Sequence, residues 1–262
     1  MGIRCSMRTI ARLGAAAIAA ALFATASLPA AAYTQEQQWE LNVGQKYYQQ
    51  LAGQGKIVAS SPYYAKLEPL AHRIAAVADS QYFVPFHFYL VRDSQPNAFA
   101  VPGGNVYVTT SMMTFARNQQ ELAGVLCHEV SHDIHHDVYN NAVKDQQLSL
   151  VAGLASLLVG RSQIGQFLVG TGAQLQSLSY ARPVESAADR TGAYICASAG
   201  ENPWGMVWLF QRFESRPSGV PLEMLSDHPR DDHRVTDLEN LFASDPRTFG
   251  RFSSNVRTAT PL

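Results

Sequence analysis

The chain has 262 residues, of which 47% are hydrophobic and 16% are charged, and its formal net charge is −1. A chain this rich in apolar residues can bury a core, which excludes an intrinsically disordered protein. The near-neutral charge gives no electrostatic basis for binding nucleic acid or an anionic membrane surface. Four of the eight histidines lie between His128 and His136, and this cluster points to the function.

Residues 1–32 have the pattern of a secretory signal peptide. Three arginines and no acidic residue precede an uncharged, alanine-rich stretch over residues 13–32, which ends in three alanines. We expect cleavage near Ala32, a periplasmic or secreted protein, and no stable membrane span in the mature form. The alternative is a retained membrane anchor, because 20 uncharged residues could cross a bilayer. Residues 33–262 are predicted to form one domain.

The first half of this domain is predicted to contain two helices and a small sheet. Apolar spacing predicts helices over residues 39–54 and 64–78. Residues 86–91 and 106–109 alternate and are rich in β-formers, with a short extended piece at 97–100 between them. A Pro-Gly-Gly turn separates the extended piece at 97–100 from the segment at 106–109, so we expect an antiparallel sheet.

The second half is predicted to be helical. Asn118, followed three positions later by Glu121, indicates a helix start, and this helix is expected to run to about His136. Residues 148–159 and 164–178 are apolar and predict a helical hairpin, either a lid or part of the core. Three more helices are predicted over the ranges 183–198, 203–213 and 235–242.

Cys127 and Cys196 both fall in apolar helical patterns. An exported protein can form disulfides, but two cysteines do not make a disulfide framework. We therefore favour two separate buried thiols over a bond between them.

The segment HEVSH at 128–132 carries an HExxH pattern. Residues four apart lie one turn apart on the same helix face, so His128 and His132 could reach one Zn²⁺ at about 2.0–2.1 Å. Glu129 lies about 100° further round the helix, beside the metal, where it could take a proton from the attacking water. Two unrelated histidines on an exposed helix are the weaker alternative, because the flanking residues are apolar.

The other two histidines of the cluster do not complete a zinc site. On a straight helix His136 lies about 12 Å along the axis from His128, too far to share a metal ion. No glycine separates His132 from His136, which excludes the HExxHxxGxxH arrangement. We therefore expect His135 and His136 to be surface or supporting groups.

A catalytic zinc site normally has three protein ligands, so a third ligand is needed from elsewhere. Glu185 on a later helix is the best candidate, and Asp189 one turn further on could accept an N–H from a ligand histidine. On chemistry alone, alternatives remain open among the acidic residues near the motif, namely Asp133, Asp137 and Glu121.

Four segments carry a family resemblance, in the same order along the chain. They are NAFAVPGG at 97–104, ELAGVLCHEVSH at 121–132, RPVESAADRTG at 182–192 and HPRDDHRV at 228–235. Together they resemble the HtpX/BepA-type zinc metallopeptidases, relatives of the CAAX prenyl proteases. The resemblance implies an α+β fold, a mainly helical zincin-like domain whose small antiparallel sheet has an edge strand at the active-site cleft. It also implies one zinc ion per chain, bound by His128, His132 and Glu185, with Asp189 supporting a ligand.

The resemblance implies roles for further residues. Asn97, Ala98, Phe99 and Ala100 would form the cleft-edge strand and pair with an extended protein or peptide substrate, although the strand could simply complete the sheet. His228 would donate to the oxyanion or cap the zinc in a resting state, and Arg234 would organise that wall of the site.

This chain departs from the family at two points. The family commonly continues HExxH with Arg-His, whereas here the corresponding pair is His136-Asp137, which we interpret as a difference in local packing. The membrane helices of the HtpX and prenyl-protease branches and the helical repeats of other relatives have no counterpart in the sequence.

The sequence therefore predicts a zinc-dependent endopeptidase in which Glu129 is the general base. By family analogy its substrates would be unfolded or misassembled envelope proteins. The alternative is a chaperone-like module that binds such proteins with little hydrolysis. A purely structural zinc site is a weaker third possibility, because such sites are usually rich in cysteine.

Overall fold

The computed structural model describes residues 33–144, 180–214, 228 and 233–262. The predicted signal segment over residues 1–32 and the predicted apolar hairpin at 148–178 lie outside the described residues. Both therefore remain predictions, as does the single-domain assignment of residues 33–262.

Two helices open the described chain. Helix α1 (Gln35–Gly53) begins four residues before its predicted start, because the Thr34 hydroxyl and the Gln37 side chain form a capping box there. Helix α2 (Tyr64–Ala78) has its predicted bounds and buries one face through Leu67, Leu70 and Ile74. Their spacing of three and four residues is that of one helical face.

The sheet has three strands, β1 (His87–Val91), β2 (Ala98–Val101) and β3 (Asn105–Thr109), in the order β1-β3-β2. Strand β2 pairs antiparallel with β3, but β1 pairs parallel with β3. The α+β class is confirmed, whereas the expectation of a wholly antiparallel sheet is wrong. The chain reverses direction between β1 and β2 and again between β2 and β3, so β1 and β3 run in the same direction. Strand β3 lies between the other two strands.

The central element is α4 (Gln119–Ile134), which carries the HExxH segment. The Asn118 side chain accepts from the Glu121 backbone N–H at 2.8 Å, as its predicted start requires. Every residue of α4 from Glu121 to Asp133 is buried. This helix packs against α2, β2 and two later helices, which makes it the centre of the fold.

The remaining described helices follow α4 in the chain. They are a segment at residues 137–144, α5 (Arg182–Ser198), α6 (Trp204–Glu214), α7 (Arg234–Ser244) and the short α8 (Pro246–Phe249). Helix α8 and the short α3 (Thr110–Phe115) were not predicted, because each is too short for its periodicity to be recognised. None of the described helices is both long and apolar enough to span a bilayer.

Helices α4 and α5 are joined by a disulfide between Cys127 and Cys196, whose Cα atoms are 5.7 Å apart. The expectation of two separate buried thiols is therefore wrong. Gly192 allows this close approach, because a Cβ there would lie 3.0 Å from the backbone carbonyl of Cys127. Contact between the two helix backbones brings the cysteines within bonding distance, and sequence spacing does not reveal that.

Candidate metal centre

Four buried side chains converge between α4 and α5. Helix α4 contributes His128 and His132, α5 contributes Glu185 from its first turn, and His228 comes from a later part of the chain. One potential ligand atom from each lies within 4.8 Å of the others. The structure thus brings together the three predicted metal ligands and adds His228 as a fourth possible donor.

The distances between these potential donor atoms are near those between ligands of a single metal ion. The His128 Nε2 atom is 3.1 Å from His132 Nε2 and 3.2 Å from His228 Nδ1. Carboxylate oxygens of Glu185 lie 2.8 Å from His228 Nδ1, 3.5 Å from His128 Nε2 and 3.7 Å from His132 Nε2. Four ligands at about 2.0–2.1 Å from a zinc ion would be separated by about 3.3–3.4 Å.

The contacts of the opposite ring nitrogens also favour a cation at this point. His128 Nδ1 lies 3.0 Å from Asp189 Oδ1, and His132 Nδ1 lies 2.8 Å from Asp137 Oδ2. A neutral imidazole that donates from Nδ1 carries its lone pair on Nε2. If both rings carry their proton on Nδ1, their Nε2 lone pairs face each other at 3.1 Å and repel, and a metal ion between them would convert that repulsion into two bonds.

Asp189 lies beside His128, and Arg234 in turn holds Asp189. Arg234 donates to both oxygens of Asp189, from Nε at 2.7 Å and from Nη2 at 2.6 Å, and its Nη1 lies 2.9 Å from Glu185 Oε2. The guanidinium carbon also lies 4.1 Å from the ring centroid of Phe210. Arg234 therefore contacts two neighbouring carboxylates of the site.

His132 is held by Asp137, which lies five positions later in the chain. Sequence reasoning named Asp137 only as one of several nearby acids and assigned it no partner. On a continuous helix it would lie about 140° round from His132. The helix ends at Ile134, however, and His136 has a φ of 55°, so the chain reverses and returns Asp137 to His132.

Glu129 lies beside the four donor atoms and faces β2. Its Oε2 accepts from the Ala100 backbone N–H at 3.0 Å, and its Oε1 lies 3.4 Å from His228 Nε2. Burial opposes the charge on Glu129, but His228 outweighs burial and lowers the pKa of this carboxyl below its usual value. A lowered pKa favours the ionised carboxylate, which is the form that can accept a proton.

His228 bridges the two carboxylates of the site. Burial disfavours its charged form, but Glu129 and Glu185 outweigh burial and raise the pKa of His228 to about 10. The same contact holds the pKa of Glu185 far below its usual value despite burial. In the metal-free protein a protonated His228 thus supplies the positive charge that these carboxylates require.

The proposed substrate strand is an edge strand. Within the described chain β2 pairs with β3 alone, and Ala98, Phe99 and Ala100 belong to it. Asn97 lies just before β2 and is fully buried, with its backbone N–H bonded to the Thr109 hydroxyl at 2.9 Å. The Phe99 ring packs against Tyr107, so any contact between Phe99 and a substrate would involve its backbone.

The two remaining histidines of the cluster lie apart from the four donor atoms. His135 contacts the Thr191 hydroxyl at 2.9 Å, and His136 contacts both oxygens of Glu40 at 2.9 and 3.0 Å. Glu36, Glu40 and His136 could also group around a cation. Glu40, however, already has the His136 ring and the Tyr82 hydroxyl as partners, so its charge is satisfied without one.

The chain is similar to known metallopeptidases. The sequence model of peptidase family M48 matches residues 64–242. A beta-barrel assembly-enhancing protease of Yersinia pestis is 34% identical over 212 residues, which cover 77% of this chain and 43% of that protein. The Escherichia coli K12 protein of that name is 31% identical over the same shares. The mitochondrial metalloendopeptidase OMA1 of Schizosaccharomyces pombe is 27% identical over 157 residues, 59% of this chain and 46% of that protein. The chain thus spans less than half the length of these relatives.

Proposed function

Since the chain belongs to peptidase family M48 and is a metallopeptidase by that membership, we propose that it is a zinc-dependent endopeptidase. One zinc ion per chain would be held by His128, His132 and Glu185. The observation that carries this proposal is that the Nε2 atoms of His128 and His132 lie 3.1 Å apart. On the opposite side of each ring, Nδ1 lies within 3.0 Å of a carboxylate oxygen. Two imidazoles and one carboxylate form a ligand set that is found at catalytic zinc sites.

A zinc ion at this position would lower the pKa of a water molecule toward about 7 and polarise the scissile carbonyl. Glu129 would take the proton from the attacking water and pass it to the leaving amine. The position of Glu129 against the edge strand β2 supports this role. The Ala100 N–H fixes one carboxylate oxygen and so orients the other toward the centre of the site.

His228 would have two roles in succession. In the arrangement seen here its Nδ1 occupies a fourth donor position, 3.2 Å from His128 Nε2, which supports a cap over the metal in a resting state. Once a substrate displaces it, the same ring could donate to the oxyanion of the tetrahedral intermediate. Arg234 would keep Glu185 and Asp189 in place throughout, because it contacts both carboxylates.

The substrate would bind as an added strand along residues 97–100, which include the first three residues of β2, with extended backbone pairing to extended backbone. A folded protein rarely offers a free extended segment, so this mode favours unfolded or misassembled protein. The Yersinia pestis and Escherichia coli relatives are named beta-barrel assembly-enhancing proteases. We therefore propose envelope proteins as substrates, and a periplasmic or secreted location after cleavage near Ala32.

The decisive experiment combines metal analysis with a turnover assay. We expect the purified protein to contain one equivalent of zinc and to cleave an unfolded outer-membrane barrel protein but not its folded form. Removal of zinc by a chelator should abolish cleavage, and added Zn²⁺ should restore it. If the protein holds the unfolded substrate equally well with or without chelator, and never cleaves it, the proposed activity is wrong and a chaperone-like function is favoured.

A further inference from the structure

His132 is fixed from two directions apart from the metal side. Its Nδ1 lies 2.8 Å from Asp137 Oδ2, and the side chains of His132 and Asp137 are only 1% and 10% exposed. Its ring stacks on Tyr180, with centroids 4.3 Å apart and planes 12° from parallel. The stack sets the plane of the ring, and the carboxylate sets which edge faces the other donor atoms.

The partner of His132 differs in origin from the partner of His128. Asp189 lies on α5, and Arg234 already holds it at two points. Asp137 reaches His132 only because the chain leaves the helical path after Ile134 and passes through the left-handed conformation of His136, with φ of 55°. The turn at 135–136 thus returns a carboxylate to the helix that has just ended.

We propose that Asp137 is a positioning residue for His132. By accepting the Nδ1–H, Asp137 would select the tautomer whose lone pair is on Nε2, and would aim that atom at the metal position between His128 and Glu185. This inference rests on the proposed function in one respect, namely that a metal ion binds there.

A purely structural role for Asp137 is the rival explanation. Asp137 is the first residue of the helical segment 137–144, where an acidic side chain is stabilised by the helix dipole. It also lies 3.9 Å from His135 Nδ1. A residue with that role alone would affect the stability of the fold but not the tautomer of His132 or the affinity for zinc.

The test measures zinc affinity by competition with a chromophoric chelator in the full chain and in three variants. We expect Asp137→Ala to bind Zn²⁺ about 10–100-fold more weakly than the unchanged protein. Asp137→Asn should lose less, because its amide oxygen can still accept the Nδ1–H. The exposed Asp237→Ala on α7 is the matched control and should bind zinc normally. NMR of the zinc-loaded protein should show a slowly exchanging Nδ1–H on His132 that Asp137→Ala loses.

Each outcome separates this inference from the proposed function. Zinc affinity within about threefold of normal in Asp137→Ala, with the Nδ1–H signal retained, overturns the positioning role and leaves the peptidase proposal intact. A stable protein that binds zinc in the expected order of affinities but cleaves nothing overturns the peptidase proposal and supports this one. Absence of zinc binding in the unchanged protein overturns both. If Asp137→Ala fails to fold, the nearly isosteric Asp137→Asn decides: zinc binding weaker than in the unchanged protein supports the positioning role, because the amide is a weaker acceptor than the carboxylate, and unchanged affinity overturns it.

Discussion

The backbone N–H of Ala100 donates to Oε2 of Glu129 across 3.0 Å. This bond joins the edge strand β2 to the HExxH helix α4 at the position where both proposed functions, substrate pairing and proton transfer, must act together. The second carboxylate oxygen of Glu129 lies 3.4 Å from His228 Nε2. The proposed base is therefore held between the proposed substrate strand and the residue proposed to cap the metal.

Glu129→Gln should retain zinc and abolish cleavage. The amide oxygen of glutamine can still accept from Ala100, so the local structure is preserved, but the amide cannot take up a proton. General-base catalysis typically contributes about 10²–10⁴-fold, and we expect a loss of at least this size in the cleavage of an unfolded protein. Zinc content is measured on the same sample. Activity equal to that of the unchanged protein would contradict the mechanism.

Glu185→Gln should lose zinc. The amide is a much weaker metal ligand than the carboxylate, and it also removes the negative charge that Arg234 contacts at 2.9 Å. Glu239→Gln on α7 changes an exposed residue in the same way and is the control. After dialysis we expect about one equivalent of zinc in the control and far less in Glu185→Gln. Full zinc retention in Glu185→Gln would exclude Glu185 as a ligand.

Gly192→Ala should separate the two helices that carry the proposed ligands. The new Cβ would lie 3.0 Å from the Cys127 carbonyl and 3.1 Å from the Cα of His128, so α5 must move away from α4. Overpacking of this kind costs about 1–3 kcal/mol, and the shift should also weaken zinc binding. Gly53→Ala at the end of α1 meets no atom within 4 Å and is the control. Urea unfolding measures the loss of stability, and zinc competition measures the loss of affinity. If Gly192→Ala and Gly53→Ala have the same stability and the same zinc affinity, the prediction is wrong.

The Cys127–Cys196 bond should stabilise the fold. It closes a loop across 69 positions, and the chain-entropy relation gives about 4 kcal/mol for a loop of that length. Peptide mapping without reductant should recover the two cysteines in one linked fragment. The double variant Cys127→Ser/Cys196→Ser should unfold at a lower urea concentration than the oxidised protein. Reductant should lower the unfolding concentration of the oxidised protein but not that of the double variant. Two unlinked cysteines in the peptide map would disprove the bond.

The stability of the metal-free protein should depend on pH through His228. The unfolded pKa of a histidine is about 6.5, and contact with Glu129 and Glu185 outweighs burial to raise the pKa of folded His228 to about 10. Because the folded value is higher, this stabilisation is fully present below about pH 6.5 and is lost as the pH rises toward 10. We expect the free energy of unfolding to fall over that range after treatment with a chelator.

His228→Gln is the comparison for this pH dependence. It should show a smaller fall over the same range, because glutamine does not titrate. The difference between the two urea-unfolding curves as a function of pH isolates the contribution of His228. Parallel curves would show that His228 does not form these ion pairs in solution.

Local patterns determined the elements and most of the proposed site. The α2 helix matches its predicted bounds, and the other predicted helices and strands within the described residues agree to within a few positions. The HExxH spacing alone places His128 and His132 on one helix face, because that geometry depends only on the helical repeat. Ligand chemistry already favoured Glu185 and Asp189, the family resemblance added His228 and Arg234, and the structure brings all four to the same place.

Tertiary structure alone decided the features that depend on where one backbone meets another. The Cys127–Cys196 bond follows from the contact of α4 with α5 at Gly192, and the parallel pairing of β1 with β3 follows from the insertion of β3 between its neighbours. The contact between His132 and Asp137 requires the helix to end at Ile134, because five residues along an unbroken helix would point them apart. The helical repeat depends only on local spacing and can therefore be recognised in the sequence. Contacts between distant backbone segments form only when the chain folds, so the sequence does not show them.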